Sequence, residues 1–430
     1  MKQTSPRVTL TPGPSPIRER GEPPALRAFL ILLVAYTLSQ FYRAFLAIVA
    51  VDLNRDLGLS PADLGQISAA WFVAFALGQF PVGYALDRFG PRRTVSVFMI
   101  AAVIGAAWLS AASSKTECLV AMGLIGFGCA PVLMGSLYLF GRVYPAERFA
   151  MLSSLIIGLG SAGNLLGATP LALAAEAFGW RAALAGIAGI TAASAILVAV
   201  ALRDPERLEG GGNETLLGGL GELVRMRALW LIVPVTLVSY AVVIATRSLW
   251  IAPFLSDVHG FDALARGNAA FVMAIAMSIG ALAYGPIERI LGDTKRTALI
   301  GCALTGLLFV ALGLSGHRSG TLAVALLAAL GAAGMTYGII MAHARRFFPA
   351  RLLGRGVTFM NFVFMGGAGL VQLASGAFVA RSQAAGLPPV DTFAALHLAF
   401  GIALMAATLI YLIAPAKPPV ARVAVRAAGE

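Results

Sequence analysis

Two of the 32 basic residues, Arg43 and Arg247, stand inside long apolar runs. Arg43 precedes Asp52 by nine residues and Arg247 precedes Asp257 by ten. On a helix rising ~1.5 Å per residue, each guanidinium then lies ~14–15 Å from a polar end, close to the middle of a bilayer. An ionised side chain at that depth costs about 2.5–3.5 kcal/mol on insertion scales, so one found there usually has a function. Neither arginine reaches an interface comfortably by snorkelling. Tyr36, Ser39, Gln40 and Arg43 follow the i, i+3, i+4, i+7 stripe of one helix face, and Ser239, Tyr240, Arg247 and Trp250 form a similar stripe. All 20 acidic residues fall in tails, loops or helix ends, so neither arginine has a carboxylate at its own depth. A guanidinium fork matches phosphate or carboxylate bidentately. Either a bound anion completes the pair, or both arginines hold helices together through Tyr, Gln and backbone carbonyls; the residues alone leave both readings open.

The elements that must position these side chains follow from composition. Of 430 residues, 59% are hydrophobic and 12% charged, with a mean hydropathy of +0.84. A soluble domain carries about 25% charged residues, so a soluble enzyme is excluded. A helix needs about 20 apolar residues to cross ~30 Å of hydrocarbon. Twelve runs qualify, at 28–51, 64–86, 94–112, 118–140, 150–173, 181–202, 229–254, 268–287, 297–315, 320–343, 357–380 and 392–414. They are too long for sheet strands and lack barrel alternation, which predicts an all-α membrane protein of twelve transmembrane helices. The N-terminus, the even-to-odd loops and the C-terminus hold 24 basic residues, the opposite loops hold six, and two lie inside helices. The positive-inside rule therefore places both termini in the cytoplasm. Topology accounts for the net charge of +12, so no nucleic-acid partner is needed. Arg outnumbers Lys 28 to 4 beside abundant Ala and Gly, which points to a GC-rich bacterial genome and hence to the bacterial inner membrane.

Residues 1–26 are Pro-rich and polar, without a signal peptide's apolar core, and are expected to be a disordered cytoplasmic tail. The stretch TLTPGPSPIRERGE is similar to translated repetitive DNA of bacterial genomes, which leaves the true start of translation open. Residues 27–202 and 229–415 are expected to form two pseudo-symmetric six-helix bundles, joined by a cytoplasmic linker at 203–228 and followed by a tail at 416–430. Leu216, Leu217, Leu220, Leu223 and Val224 give the linker the spacing of a short surface helix, and a plain linker reads equally well. The halves echo each other: Tyr36 and Arg43 recur as Tyr240 and Arg247 at an offset of 204, Asp87–Arg88 as Glu288–Arg289 at 201, and Gly126 as Gly331 at 205. Such an internal duplication characterises parallel-repeat transporters whose site lies between the halves.

The run Gly83-Tyr-Ala-Leu-Asp87-Arg88-Phe-Gly90-Pro91-Arg92-Arg93 resembles the G-x-x-x-D-R-x-G-R-R loop of the major facilitator superfamily, with Pro91 displacing the basic pair by one. Glu288-Arg289-Ile-Leu-Gly292-Asp293-Thr-Lys295-Arg296 is a degenerate second copy. The resemblance covers residues 27–415. It implies a monomeric carrier in which spans 1 and 7 line a central cavity. It also implies that Gly83, Asp87, Arg88, Gly90, Arg92, Glu288 and Arg289 form the cytoplasmic gate, Asp87 acting through helix termini and arginines such as Arg148. Met122 stands where many proton-coupled members carry an Arg, which speaks against ordinary proton coupling. The segments Phe41-Tyr42-Arg43 and Arg247-Ser-Leu-Trp250 are similar to those of organophosphate:phosphate antiporters and other organic-anion carriers, which bind their anion with an Arg from span 1 and one from span 7. Ala44 replaces a second basic residue and span 5 has no His, so phosphate and carboxylate stay equally open.

Asn164, Asn361, Gln372 and Tyr138 either line that cavity or bond neighbouring helices. His343 reads as an interface histidine or a proton carrier, and Met273, Met277 and Met335 as packing. No phosphate loop, zinc helix or metal-spaced cysteine pair occurs, so the chain reads as no enzyme, with no cofactor or metal. The reading is a secondary transporter for a small anion, with Arg43, Arg247, Tyr36, Tyr240, Gln40 and Trp250 in the binding site and exchange as the mode. An efflux carrier for apolar or cationic compounds and a transporter-like sensor are the alternatives.

Overall fold

The computed structural model describes residues 25–205, 220–349 and 352–416. The expected N-terminal tail, most of the linker and the C-terminal tail lie outside the described residues, as does the side chain of Asp87. The described chain is all helical, and the spans fall where the apolar runs place them. Span 1 is a bent pair, Leu26–Tyr42 and Leu46–Leu57, with 48° between its parts. The others are Pro61–Leu86, Arg88–Ala111, Lys115–Val143, Met151–Phe178, Trp180–Ala201, Arg227–His259, Ala263–Leu291, Thr294–Arg318, Gly320–Arg345, Gly356–Ala384 and Pro389–Leu412. They are numbered 2 to 12 here, and "outer" denotes the end carrying Asp52 and Asp257.

Local sequence explains where several spans begin. Ser60 and Asp63 make a reciprocal capping box with Pro61 as the first helical residue, so the first amides of span 2 are satisfied. Asp262 and Asp293 cap spans 8 and 9 by accepting from Ala265 N and Arg296 N. The outer faces invert the soluble pattern: Ile104, Ile196, Val200, Leu282, Leu307 and Ile402 are each more than half exposed, which suits contact with lipid.

Without a hydrophobic force between helices in lipid, close approach depends on small residues. The internal repeat shows this twice. Gly126 of span 4 lies against the Trp71 carbonyl of span 2, where any side chain would collide. At the repeat-related crossing, a Cβ on Gly331 of span 10 would stand 3.0 Å from the Met273 carbonyl of span 8.

The first six spans meet the last six chiefly at the outer end. Spans 2 and 11 stay together from Gly65 against Gly376 to the Phe80–Phe362 ring pair, 5.2 Å between centroids. Span 8 packs on the outer parts of span 5, Ala162–Leu166 and Thr169–Phe178, and the outer part of span 1 packs on span 7. The inner part of span 5, Ala146–Gly160, packs instead on spans 1 and 4. The contacts between the halves are thus gathered mainly toward the outer end.

Candidate functional site

Both arginines sit where the helix is irregular. Arg43 occupies the break in span 1. There Arg43 N bonds to Gln40 O at 3.3 Å and Ala44 N to Phe41 O at 2.9 Å, a tightened turn without Pro or Gly. The Arg43 guanidinium carbon lies 5.4 Å from the ring centroids of both Trp71 and Phe75 in span 2, which are themselves stacked 5.0 Å apart. A guanidinium over aromatic faces gains about 0.5–2 kcal/mol, and the face contact leaves its edge donors free. The Arg43 side chain makes no hydrogen bond or ion pair with any described residue, and its buried Nε is unpartnered.

Arg247 occupies a π-helical turn, Thr246–Trp250, in span 7. Such turns are frequent at functional sites. Its side chain is 2% exposed and crosses to span 5. There Nη1 donates to Asn164 Oδ1 at 3.1 Å and Nη2 to the Asn164 carbonyl at 2.8 Å, while Nε is unpartnered. That carbonyl is available because span 5 breaks just beyond it. In a regular helix the amide of Ala168 would bond to Asn164 O, but here it bonds to Leu165 O at 3.1 Å.

Aromatic and amide side chains surround the pair. Tyr36 is buried with its ring against Gly160 of span 5, and Gln40 is buried with Oε1 unpartnered. Tyr240 stacks on Phe364 at 4.2 Å, Phe364 lies 3.7 Å from the ring of Tyr337, and the Tyr337 hydroxyl donates to Asn361 Oδ1 at 3.2 Å. The groups are near enough to act on one another electrostatically: the charge of Arg43 reaches Tyr36, Tyr337 and Arg247. Sequence reasoning reached Arg43, Arg247, Tyr36, Tyr240 and Gln40, and the structure brings them together. It left out Trp71, Phe75, Tyr337 and Phe364, which look like ordinary aromatics of apolar runs. The polar neighbours of Tyr337 and its place after the Gly334–Thr336 break were the available signal.

Trp250 goes elsewhere. Its indole N–H donates to Ser375 Oγ at 2.8 Å and its ring meets Phe393 edge-on. It lines an outer cavity of about 280 Å³ shared with Asn54, Arg55, Asp257 and Gln383. Gln372 donates to Ser248 Oγ at 2.8 Å, tying span 11 to span 7. The ion pairs found among the described residues, Arg55 with Asp52 and Asp56, Lys115 with Asp63 and Arg181 with Asp56, all lie at the outer end. None involves Arg43 or Arg247.

The loop after span 2 is held by contacts of its own. Arg88 donates to the Tyr84 hydroxyl and lies over the Tyr84 and Phe89 rings. Gly83 is exposed, with open space where a Cβ would stand. Gly90 has φ 82°, which favours glycine, and a Cβ there would also lie 2.6 Å from Asp204 Oδ1. The same Asp204 oxygen accepts from the Arg92 amide at 2.7 Å, and Arg92 Nε donates to the Ala199 carbonyl at 2.6 Å. Asp204, beyond span 6, therefore caps span 3, a role that its sequence position does not announce. In the second half, Glu288 accepts from the Thr294 hydroxyl, which accepts from Arg346, while Arg289 is exposed. His343 is buried and bonded at both ring nitrogens: since the Pro415 carbonyl can only accept, Nε2 donates to it at 3.1 Å and Nδ1 accepts from the Tyr411 hydroxyl at 2.7 Å. Met273 and Met277 are buried.

The chain matches the sequence profile of the Major Facilitator Superfamily over residues 32–372. Among curated proteins it is 30% identical to monocarboxylate transporter 11 of Homo sapiens over 199 residues, 44% of this chain and 39% of that protein. It is 26% identical to the probable galactarate/D-glucarate transporter GudP of Bacillus subtilis over 180 residues, 40% of each. It is also 26% identical to the hexuronate transporter of Bacillus subtilis over 160 residues, 36% of this chain and 37% of that protein. The matches thus span about two fifths of the length of these relatives. Among solved structures, a bacterial homolog of the human lysosomal transporter Spinster, inward-facing and occupied, superposes with a TM-score of 0.73 at 17% identity, covering 92% of this chain and 97% of that one. A D-xylose–proton symporter gives 0.73 at 16% identity, with coverages of 91% and 98%. At these identities the structural likeness concerns the fold.

Proposed function

We propose that this chain, which belongs to the Major Facilitator Superfamily and is a multi-pass membrane transporter, carries a small organic acid by alternating access. The carboxylate docks on Arg43 with Arg247 beside it. The observation that carries this reading is Arg43 itself: a mid-membrane guanidinium stacked on Trp71 and Phe75, with no hydrogen bond or counter-ion among the described residues. A buried charge is stable only when paired, so the missing partner is an arriving anion. Tyr36, Tyr240 and Gln40 border the same space, and the Tyr337–Asn361 pair offers hydroxyl and amide groups to a hydroxylated substrate. The relatives named for galactarate, glucarate and hexuronate favour a sugar acid over an organophosphate.

Charge and packing extend the proposal to the whole carrier. Residues 27–202 and 229–415 act as two six-helix bundles around this space, in a monomer of the bacterial inner membrane with both termini cytoplasmic. With that topology, contacts between the halves gathered toward the outer end fit an inward-facing state. The loop of Asp87 and Arg92 with its counterpart at Glu288 and Arg289 lies at the inner end and governs its closure. Exchange of one anion for another fits the lack of a buried carboxylate at the depth of the arginines.

Thermal-shift measurements on purified protein test this. The panel is glucarate, a hexuronate, lactate, nitrate, phosphate, a sugar phosphate, neutral sugars and cationic dyes, on wild type, Arg43→Gln and Arg247→Gln. A ligand at 100 times its Kd stabilises the fold by ~2.7 kcal/mol. Stabilisation by organic acids that Arg43→Gln abolishes supports the reading. Stabilisation by neutral or cationic compounds alone, equal in all three proteins, overturns it in favour of an efflux carrier.

A further inference from the structure

The geometry points to Asn164 as a positioning residue that also serves as a latch. It holds Arg247 when no anion is bound, and losing that hold releases the outer seam. This rests on the anion reading of the site. Both Arg247–Asn164 bonds cross from the last six spans to the first six, so they tie the halves together. One turn further out, Thr169 Oγ1 donates to Asn268 Oδ1 at 2.9 Å across the same seam, and Gly267 brings span 8 against Thr169 and Ala172. The Arg247 bonds thus tie span 5 to span 7 on the inner side of the span 5–span 8 contact.

The tie is built to be given up. Asn164 offers neutral acceptors, one of which exists only because span 5 breaks at Gly167–Ala168. The Arg247–Asn164 bonds are charge-assisted on the donor side only, whereas a carboxylate adds a second charge and a bidentate fit to the guanidinium fork. Arg43 and Arg247 carry like charges with no carboxylate at their depth. A carboxylate on Arg43 supplies the missing counter-charge and presents Arg247 with the stronger acceptor, so Arg247 turns from Asn164 to the substrate. Occupancy then removes a bond that keeps the outer end shut. An empty carrier keeps the bond and stays inward-facing. A carrier that reorients only when loaded is an exchanger, and a ligand shifts such an equilibrium only by its differential affinity for the two states.

Spin labels at Glu176→Cys and Leu264→Cys, both exposed at the outer ends of spans 5 and 8, report the seam, since Cys118, Cys129 and Cys302 are buried. Without ligand, wild type should give one short distance. Asn164→Ala should raise the long-distance population about tenfold, the factor that 1.4 kcal/mol represents. Asn164→Asp, which offers Arg247 a permanent charged partner, should keep only the short distance and lower exchange at least tenfold. Adding glucarate to wild type should lengthen the distance as Asn164→Ala does. A ligand-free distance in Asn164→Ala that matches wild type, with the variant verified as folded by its melting transition, overturns the inference even if Arg43→Gln abolishes anion binding. Anion binding that survives Arg43→Gln overturns the underlying reading instead.

Discussion

Arg43 and Arg247 descend from one position of a duplicated sequence, 204 residues apart, yet they live in different surroundings. Arg43 sits at a tightened break in span 1, its guanidinium over two aromatic rings and without a hydrogen bond to any described residue. Arg247 sits in a widened π turn of span 7 and is anchored twice on Asn164. The difference arises outside both helices. Trp71 and Phe75 present faces to Arg43, whereas the broken span 5 presents an uncommitted carbonyl to Arg247. A duplicated charge can thus be kept open in one half and tethered in the other, which on the proposed reading makes the site a receptor and a latch rather than a symmetric clamp.

The strongest test of that asymmetry is a paired kinetic comparison. Arg43→Gln should lower kcat/KM for the carried acid about a hundredfold, since hydrogen bonds to charged groups contribute about 1.5–3 kcal/mol each. Arg247→Gln should cost about tenfold and act mainly on the rate of exchange. Equal losses in uptake assays would restore the symmetric clamp. Arg43→Lys should not rescue, because an ammonium lacks the planar fork.

Next in size is the aromatic seat. Trp71→Leu should weaken anion binding several-fold, in line with a cation–π contribution of about 0.5–2 kcal/mol. Titration by isothermal calorimetry would read this, and the variant should leave the Arg247–Asn164 side unaffected. The two inner loops extend the comparison. Span 9 is capped from its own loop by Asp293, whereas Pro91 stands where the first half would carry that cap and Asp204 reaches over from the end of span 6. Asp204→Ala and Asp293→Ala should each lower stability by about 1 kcal/mol, measured as a fall in Tm. Asp204→Ala should in addition loosen the loop against span 6, which proteolysis at Arg92 and Arg93 would report. The smallest effect is expected for Tyr337→Phe, which removes the bond to Asn361. It should change the preference for hydroxylated over plain monocarboxylic acids by only a few-fold, since a neutral hydrogen bond contributes about 0.5–1.5 kcal/mol net.

The all-helical class, the twelve spans, the internal repeat and the mid-membrane arginines were legible in the amino-acid sequence. Each of these is a one-dimensional property: hydrocarbon thickness sets the length of an apolar run, and a charge inside such a run stands out against it. Tyr36, Gln40 and Tyr240 were legible as well, because helical periodicity alone places them on the faces of Arg43 and Arg247. Only tertiary structure decided which neighbours those faces meet. Trp71, Phe75 and Phe364 are indistinguishable in sequence from lipid-facing or packing aromatics. Asn164, 83 residues before the arginine it holds, gains its role from the helix break just beyond it. Trp250 shares a stripe with Arg247, but the π turn and Ser375 draw it toward the outer end. Asp204 caps a helix 112 residues earlier in the chain. The physical reason is common to all four: hydrogen bonds and ring contacts act over a few ångströms between helices, and helix crossing is set by where small residues let backbones meet, which no single segment encodes.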